Sequence, residues 1–501
     1  MHTQVLIVGG GPTGLMMGSL LRRWNVNCRL IDEGEEITRE SRAIGIQARS
    51  LELFQNLGIV DQFLERGQIG SGAKVFLNGK ERVTVNFGDI GREDTPYPFV
   101  FFLSQTETEK ILVDDLKKHH LNVERQTTLE DFYQDDKKVT ATIRKRNGKE
   151  EIVTADYIIG CDGSHSKIRK ILDLPFEGAS YESEFIMADT QVDWDLDNNR
   201  LMVFLDPGNI GVHFPLKDRS RVLTVRENHD MPETTETTSY PATLSEIEEH
   251  FKEATHRDVK LHDAEWVTRF HVHHRCVRQL KVRRAFLVGD AAHIHSPVGA
   301  QGMNTGLQDA ANLAWKLALV IKKKAKEDIL ETYHSERWPV AQKLLKFTDR
   351  IFSIVTTKNK AAIGLRTMFF PLFARFMMMG KRGRDFMFGF ISQLNIHYSP
   401  SLVVSAGAGQ RMPNFETIGG KEIFDLLKGY KFHLFVFGER PYNERLINVE
   451  IHHLPSSRFK TNGLVLVRPD GHIAFQTNDV SEKSIIDMEK YLEVSGIEHE
   501  F

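Results

Sequence analysis

The sequence predicts an α/β protein with a buried parallel sheet at its N-terminal end. Three observations point there. Short apolar runs end in glycine-rich loops, helical segments follow those loops, and stretches with strand-like alternation fill the intervals between them. The chain has 501 residues, enough for about three domains. Lys+Arg is 65 against Asp+Glu 68, a net charge of −3, so there is no basic surplus for nucleic acid. No apolar run reaches the ~18 residues of a membrane span; the nearest, Met368 to Met379, carries Pro371 and Arg375. Cys28, Cys161 and Cys276 are far apart and form no CxxC, which excludes a disulfide scaffold or zinc module and leads us to expect a cytoplasmic protein. The first strand begins by residue 4, so no targeting peptide is expected.

In chain order, Val5 to Val8 reads as a strand buried on both faces. Gly9, Gly11 and Gly14 follow as GxGxxG and open a helix, LMMGSLLRR. Gly9 allows the tight turn, Gly11 a close backbone approach to a pyrophosphate, and Gly14 close packing of helix on strand. The helix N-terminus favours the anion. A second strand, CRLID, ends in Asp32, near the spacing of about 20 residues expected for an acidic ribose ligand. Glu33 is the adjacent alternative, and a glycine turn without ligand is the bland one. The pattern predicts a Rossmann-like dinucleotide site and does not by itself separate NAD from FAD.

Two later segments repeat the strand-then-loop pattern. Residues 156–169, DYIIGCDGSHSKIR, run from an apolar strand into Asp162-Gly163, Ser166 and Arg169. Residues 284–306, RAFLVGDAAHIHSPVGAQGMNTG, run from Ala285–Val288 into Gly289-Asp290 and a Pro297/Gly299/Gly302 loop. A helix follows, with Leu307, Ala310, Ala311, Ala314 and Leu317 at helical spacing.

These three motifs, in this order, resemble the single-component FAD-dependent aromatic hydroxylases, the group A flavoprotein monooxygenases typified by p-hydroxybenzoate hydroxylase. The longer phenol hydroxylase-like members are more similar, over nearly the whole chain. The resemblance implies noncovalent FAD, with NAD(P)H and O2 as co-substrates and a small aromatic, phenolic substrate hydroxylated through a flavin C4a-hydroperoxide. Other oxygenations on the same scaffold, or flavin binding without turnover, are the alternatives. It further implies that Asp32 takes the adenosine ribose, Arg42 neutralises the pyrophosphate, Gln105 lies near the ribityl chain and Asp290 bonds a ribityl hydroxyl. Pro297, Gly302, Met303 and Asn304 match the loop along the isoalloxazine, and Asp162, Gly163 and Arg169 a motif serving FAD and NADPH. Asp290 as a turn residue and Arg42 as a surface arginine are the plain alternatives.

The expected organisation is a discontinuous FAD-binding domain over 1–178 and 276–350, with 70–105 contributing to a mixed-sheet substrate domain over 179–275. Phe204, His213, Phe214, Phe270 and His271 are pocket candidates there, although alternation alone does not say which face is the pocket. No carboxylate or cysteine pattern completes a metal set around His271, His273, His274, His293 and His295, so no metal is expected. Residues 351–397 read as a Phe/Met-rich helical segment, either a homodimer interface or a substrate lid. Residues 398–501 resemble a thioredoxin-like C-terminal domain, with Asp470-Gly471 as a hairpin turn. It contains no cysteine, so thiol redox chemistry is excluded.

Overall fold

A computed structural model describes the chain except residues 38–42, 87–92, 228–238, 296–299, 357–379, 418–419, 439–448, 456, 458, 460–461 and 496–501. Arg42, Pro297 and residues 357–379 of the Phe/Met-rich segment therefore lie outside the described residues. No described helix is long and apolar enough to cross a membrane.

The apolar run His2–Val8 forms the centre of an eight-stranded sheet. It pairs in parallel with Cys28–Ile31 on one side and Glu150–Gly160 on the other, and Glu150–Gly160 pairs in parallel with Ala285–Leu287. The register sets Val8 beside Gly160, and Gly160 beside Leu287. All three motif strands thus end at the same level, and their loops leave the same edge. That edge is the carboxyl end of a parallel sheet, where such folds bind ligands.

A second, nine-stranded sheet is built mainly from the residues between the second and third motifs. The long strands Glu177–Asp193 and Lys260–Cys276 carry the chain out and back, antiparallel to one another. Ser220–Glu227, Asn209–Pro215 and Leu201–Asp206 continue the sheet, and Gly72–Leu77 joins it in parallel to Leu201–Asp206. One face is covered by the helix Leu244–Thr255, whose Ile247 and Phe251 pack with Phe76, Met202 and Phe204. The other carries Phe185, Met187, Leu223 and Phe270. This second face looks toward the nucleotide-binding unit, since Phe214 meets Phe102 at 6.2 Å.

The C-terminal unit is a four-stranded sheet. Phe432–Phe437 is parallel to Val449–Leu454 and antiparallel to Gly463–Val467, which pairs with Ile473–Gln476 before a final helix, Glu482–Val494. This is the thioredoxin-like arrangement. The turn between the last two strands, with Gly471 at φ +77°, faces inward. Its Arg468 and Asp470 are buried against the rest of the chain. Arg468 donates to both carboxylate oxygens of Glu336, at 2.7 and 3.0 Å, and Lys316 Nζ lies 2.9 Å from Glu336. Arg49 donates to the Asp470 carbonyl, and Tyr430 to the Ala311 carbonyl at 2.6 Å. The unit is therefore docked by charge-assisted bonds onto the helices Gly302–Ile321 and Glu331–Thr356.

Candidate active site

The first glycine loop shows a division of labour. Gly9 has φ +106°, and a side chain there would overlap the Cys161 carbonyl at the end of the second motif strand. A side chain on Gly14 would overlap the Gly9 carbonyl. These two glycines let the loop, helix and neighbouring strand touch. Gly11 differs: a Cβ there would meet no atom within 4 Å. It caps the helix Pro12–Arg23 without a side-chain hydrogen bond, leaving the positive helix end open to an anion. Pro12 at the first helical position removes one of the orphan donors at no cost.

Asp32, at the end of the second strand, is tied to this loop. Its Oδ2 accepts from Gly10 N at 2.5 Å, and its Oδ1 accepts from Gly34 N at 2.8 Å and Arg125 at 2.9 Å. A carboxylate offers about four acceptor positions, so one remains for a hydroxyl. Arg125 was not foreseen, because it lies in a different part of the chain and reaches Asp32 only through the fold.

The second motif turns inward. Asp162 Oδ2 accepts from Ile168 N at 3.1 Å, while its Oδ1 is buried without a partner among the described residues. Burial raises its pKa. Gly163 occupies the turn at φ +70°. Arg169 is buried, donating to the Ala291 carbonyl at 3.0 Å and the Ser164 carbonyl at 2.7 Å, with its guanidinium 3.9 Å above the Phe176 ring. It bolts the second motif to the third.

In the third motif, Gly289 and Gly306 approach Thr13 of the first helix so closely that side chains at either position would clash with its hydroxyl. Asp290 is exposed at the strand end. Gly302 begins the 20-residue helix, again without a side-chain cap, and Met303 is half-buried beside it. Asn304 lies in the first turn of this helix. It is buried with its polar positions engaged: Oδ1 accepts from Gln47 N at 2.9 Å and Ser50 at 2.7 Å, and Nδ2 donates to the Gly45 and Ala300 carbonyls at 2.8 Å each. Its side chain fixes the loop. Gln105 bonds Glu109 at 2.8 Å, and its backbone N–H donates to the Ala43 carbonyl at 3.1 Å.

Behind the third motif lies a buried ionic group that sequence reasoning missed. Asp309 accepts from Gly289 N at 3.2 Å, meets His293 Nε2 at 2.7 Å, and pairs with Arg337 Nε at 2.6 Å. The available signal was an acidic residue inside an otherwise apolar helix, since buried charge demands a partner.

The pocket candidates divide by face. Phe214 and Phe270 belong to the face toward the nucleotide-binding unit, where Phe270 stacks on Phe185 at 5.6 Å. Phe204, His213 and His271 point to the helix-backed side, contrary to expectation. Phe204 packs on Phe76 and Phe251. His213 is fully buried beside Trp194, between the Arg200 carbonyl at 3.1 Å and Ser220 Oγ at 2.8 Å. Its Nδ1 must donate to the carbonyl, so Nε2 accepts from the hydroxyl, and burial pushes its pKa down to about 4. His271 neighbours Arg269, which bonds Glu246 of the covering helix at 2.8 Å. Strand alternation placed these residues opposite their neighbours, and only the helix decides which side is closed. The face toward the nucleotide-binding unit instead contributes an unforeseen pair. Arg221, fully buried, bonds Asp189 at 2.5 and 2.7 Å and donates to the Ala43 carbonyl at 3.1 Å. It links the substrate sheet to the same carbonyl that Gln105 uses.

Two uncapped helix starts, an open glycine and a strand-end carboxylate, gathered at one sheet edge, fit a dinucleotide with a second anionic group. Comparison with known proteins agrees. Residues 2–348 match the family described as FAD binding domain. The chain is 31% identical to pentachlorophenol 4-monooxygenase of Sphingobium chlorophenolicum, over 86% of this chain and 79% of that one. It is 33% identical to 6-methylpretetramide 4-monooxygenase of Streptomyces rimosus, over 81% and 72% respectively. The solved structure of CabE, an aromatic hydroxylase from angucycline biosynthesis, superposes with a TM-score of 0.79 at 25% identity, covering 99% of this chain and 100% of that one. The chain belongs to the group A flavoprotein monooxygenases, FAD-dependent enzymes that hydroxylate aromatic compounds.

Proposed function

We propose that this enzyme hydroxylates a phenolic ring lying between the flavin edge and the sheet face of Phe185, Met187, Leu223 and Phe270. The observation that carries the reading is the shared edge of the three motif strands, with the apolar face set against Phe102 through Phe214, and Phe102 paired with Gly45, whose carbonyl Asn304 of the third motif holds. FAD, when bound, supplies hydride acceptance from NAD(P)H and activation of O2. The protein does the rest. Gly11 and the first helix start hold the pyrophosphate, Asp32 the adenosine ribose and Asp290 a ribityl hydroxyl. Arg42 serves the pyrophosphate and Gln105 the ribityl chain, while Pro297, Gly302 and Met303 line the ring. Asp162, Gly163 and Arg169 hold the second and third motifs in register. The helix beginning at Gly302, with no side-chain cap, would offer its N-terminal N–H groups to the negative charge that the flavin carries when reduced. The apolar sheet face excludes water from the reacting edge. The three dispersed, buried thiols support a cytoplasmic setting. The Phe/Met-rich residues 351–397 support assembly as a homodimer, which light scattering on the purified protein checks.

The reading is tested by screening phenols, from single rings to fused polycyclic ones, for accelerated NAD(P)H oxidation and products identified by mass. A product one oxygen atom heavier supports it. NAD(P)H oxidation yielding only hydrogen peroxide with every ring would reject it.

A further inference from the structure

The C-terminal sheet gathers three side chains that flavin chemistry does not use. Strand Phe432–Phe437 lies parallel to Val449–Leu454, with His433 opposite Glu450 and Phe435 opposite His452. Residues two apart on a strand share a face, so Glu450 and His452 project together and the register brings His433 beside them. His433 Nδ1 is 3.0 Å from His452 Nε2 and 3.9 Å from Glu450 Oε2, and one ligand atom from each residue lies within 4.8 Å of the others. Zinc–nitrogen bonds of 2.0–2.1 Å in tetrahedral geometry space ligand atoms roughly 3.3 Å apart. The cluster therefore needs only small side-chain adjustments to close on one ion.

We propose that His433, Glu450 and His452 form a binding site for a divalent transition-metal ion of the zinc class, with a fourth position open to water. Two imidazoles and a carboxylate are an established donor set for such ions. Three further observations favour it. His433 is wholly buried, and it is its Nδ1 that faces His452 and Glu450. The site already draws a cation, because the Lys431 ammonium pairs with Glu450. That lysine keeps 44% of its side chain exposed and can turn into water when a metal arrives. Among the described residues Val449–Leu454 is the edge strand, and Glu450 keeps 43% of its side chain exposed. The ligands lie on two strands joined through the register, which is why no local spacing in the sequence announces them.

The test uses the full-length, FAD-loaded protein, freed of metal with a chelator and titrated with Zn2+ against a chromogenic competitor. One equivalent per chain is expected. His452→Ala and Glu450→Gln, both at partly exposed positions, should each weaken binding at least about tenfold. Lys431→Met should tighten it by removing the competing ammonium. Co2+ should give tetrahedral d–d bands to the red of the flavin absorption, absent in His452→Ala. Absence of a saturable site would overturn the proposal. So would stoichiometric binding unchanged in His452→Ala and Glu450→Gln, since that places the ion elsewhere among the 21 histidines.

Discussion

Asp290 stands exposed at the end of an otherwise buried strand. If it bonds a ribityl hydroxyl, Asp290→Ala loses a charge-assisted hydrogen bond worth about 1.5–3 kcal/mol. Flavin affinity should then fall at least tenfold, leaving a folded, largely colourless protein. Absorbance ratio and flavin titration check this, and unchanged affinity would refute the assignment. His213 makes a different kind of prediction. Its pKa in the folded chain is about 4, below the ordinary 6.5, because burial opposes its charge. Its contribution is complete above pH 6.5. As pH falls from 6.5 to 4 the unfolded chain binds a proton that the folded chain refuses, so stability declines by up to about 3 kcal/mol. Urea unfolding across that range should show the decline, and His213→Gln should make it shallower. The two residues also mark what sequence reveals at this scale. Asp290 follows a glycine at a strand end and so announces itself. His213 sits on an alternating strand whose two faces look alike until one is covered.

The helix Gly302–Ile321 illustrates the element scale. Its apolar spacing was legible, but Asn304, Asp309, Asn312 and Lys316 are buried too. Each is satisfied by a residue distant in sequence: Gln47, Arg337 and Glu336 supply partners. Such pairings depend on how elements pack, and local periodicity carries no record of them. The C-terminal turn shows the same limit. Its Asp470-Gly471 hairpin was readable, whereas the docking of Arg468 on Glu336 was not. Arg468→Met leaves Glu336 with a lost partner in a dry interior, a change expected to cost about 3–5 kcal/mol. Denaturant unfolding should register it, and an unshifted midpoint would mean that the network does not hold the unit in place. The docking unit has no thiol, and burial raises the three thiols elsewhere: Cys28 to about 12, Cys276 to about 11, and Cys161 also upward. A thiol reagent should therefore react with none of them in the native enzyme at pH 8 and with all three after unfolding.

At the scale of the whole molecule, one dinucleotide motif serves a reaction with two nucleotide cofactors. The nicotinamide must meet the flavin in passing, whereas oxygen transfer needs a closed, dry site. A substrate that favours the arrangement open to nicotinamide shifts its population by its differential affinity. Lowering the reduction barrier by ~1.4 kcal/mol gives tenfold acceleration. Anaerobic stopped-flow reduction should therefore be at least tenfold faster with the right phenol, and equal rates would exclude gating at this step. The central claim, that the three motif loops and the facing apolar sheet make an aromatic hydroxylase, has a more direct test. The purified flavoprotein is given NAD(P)H, a phenol that accelerates its oxidation, and 18O-labelled dioxygen. The account predicts a hydroxylated ring carrying one labelled oxygen atom. A product whose new oxygen comes from water, or no oxygenated product while dioxygen is consumed, would contradict it.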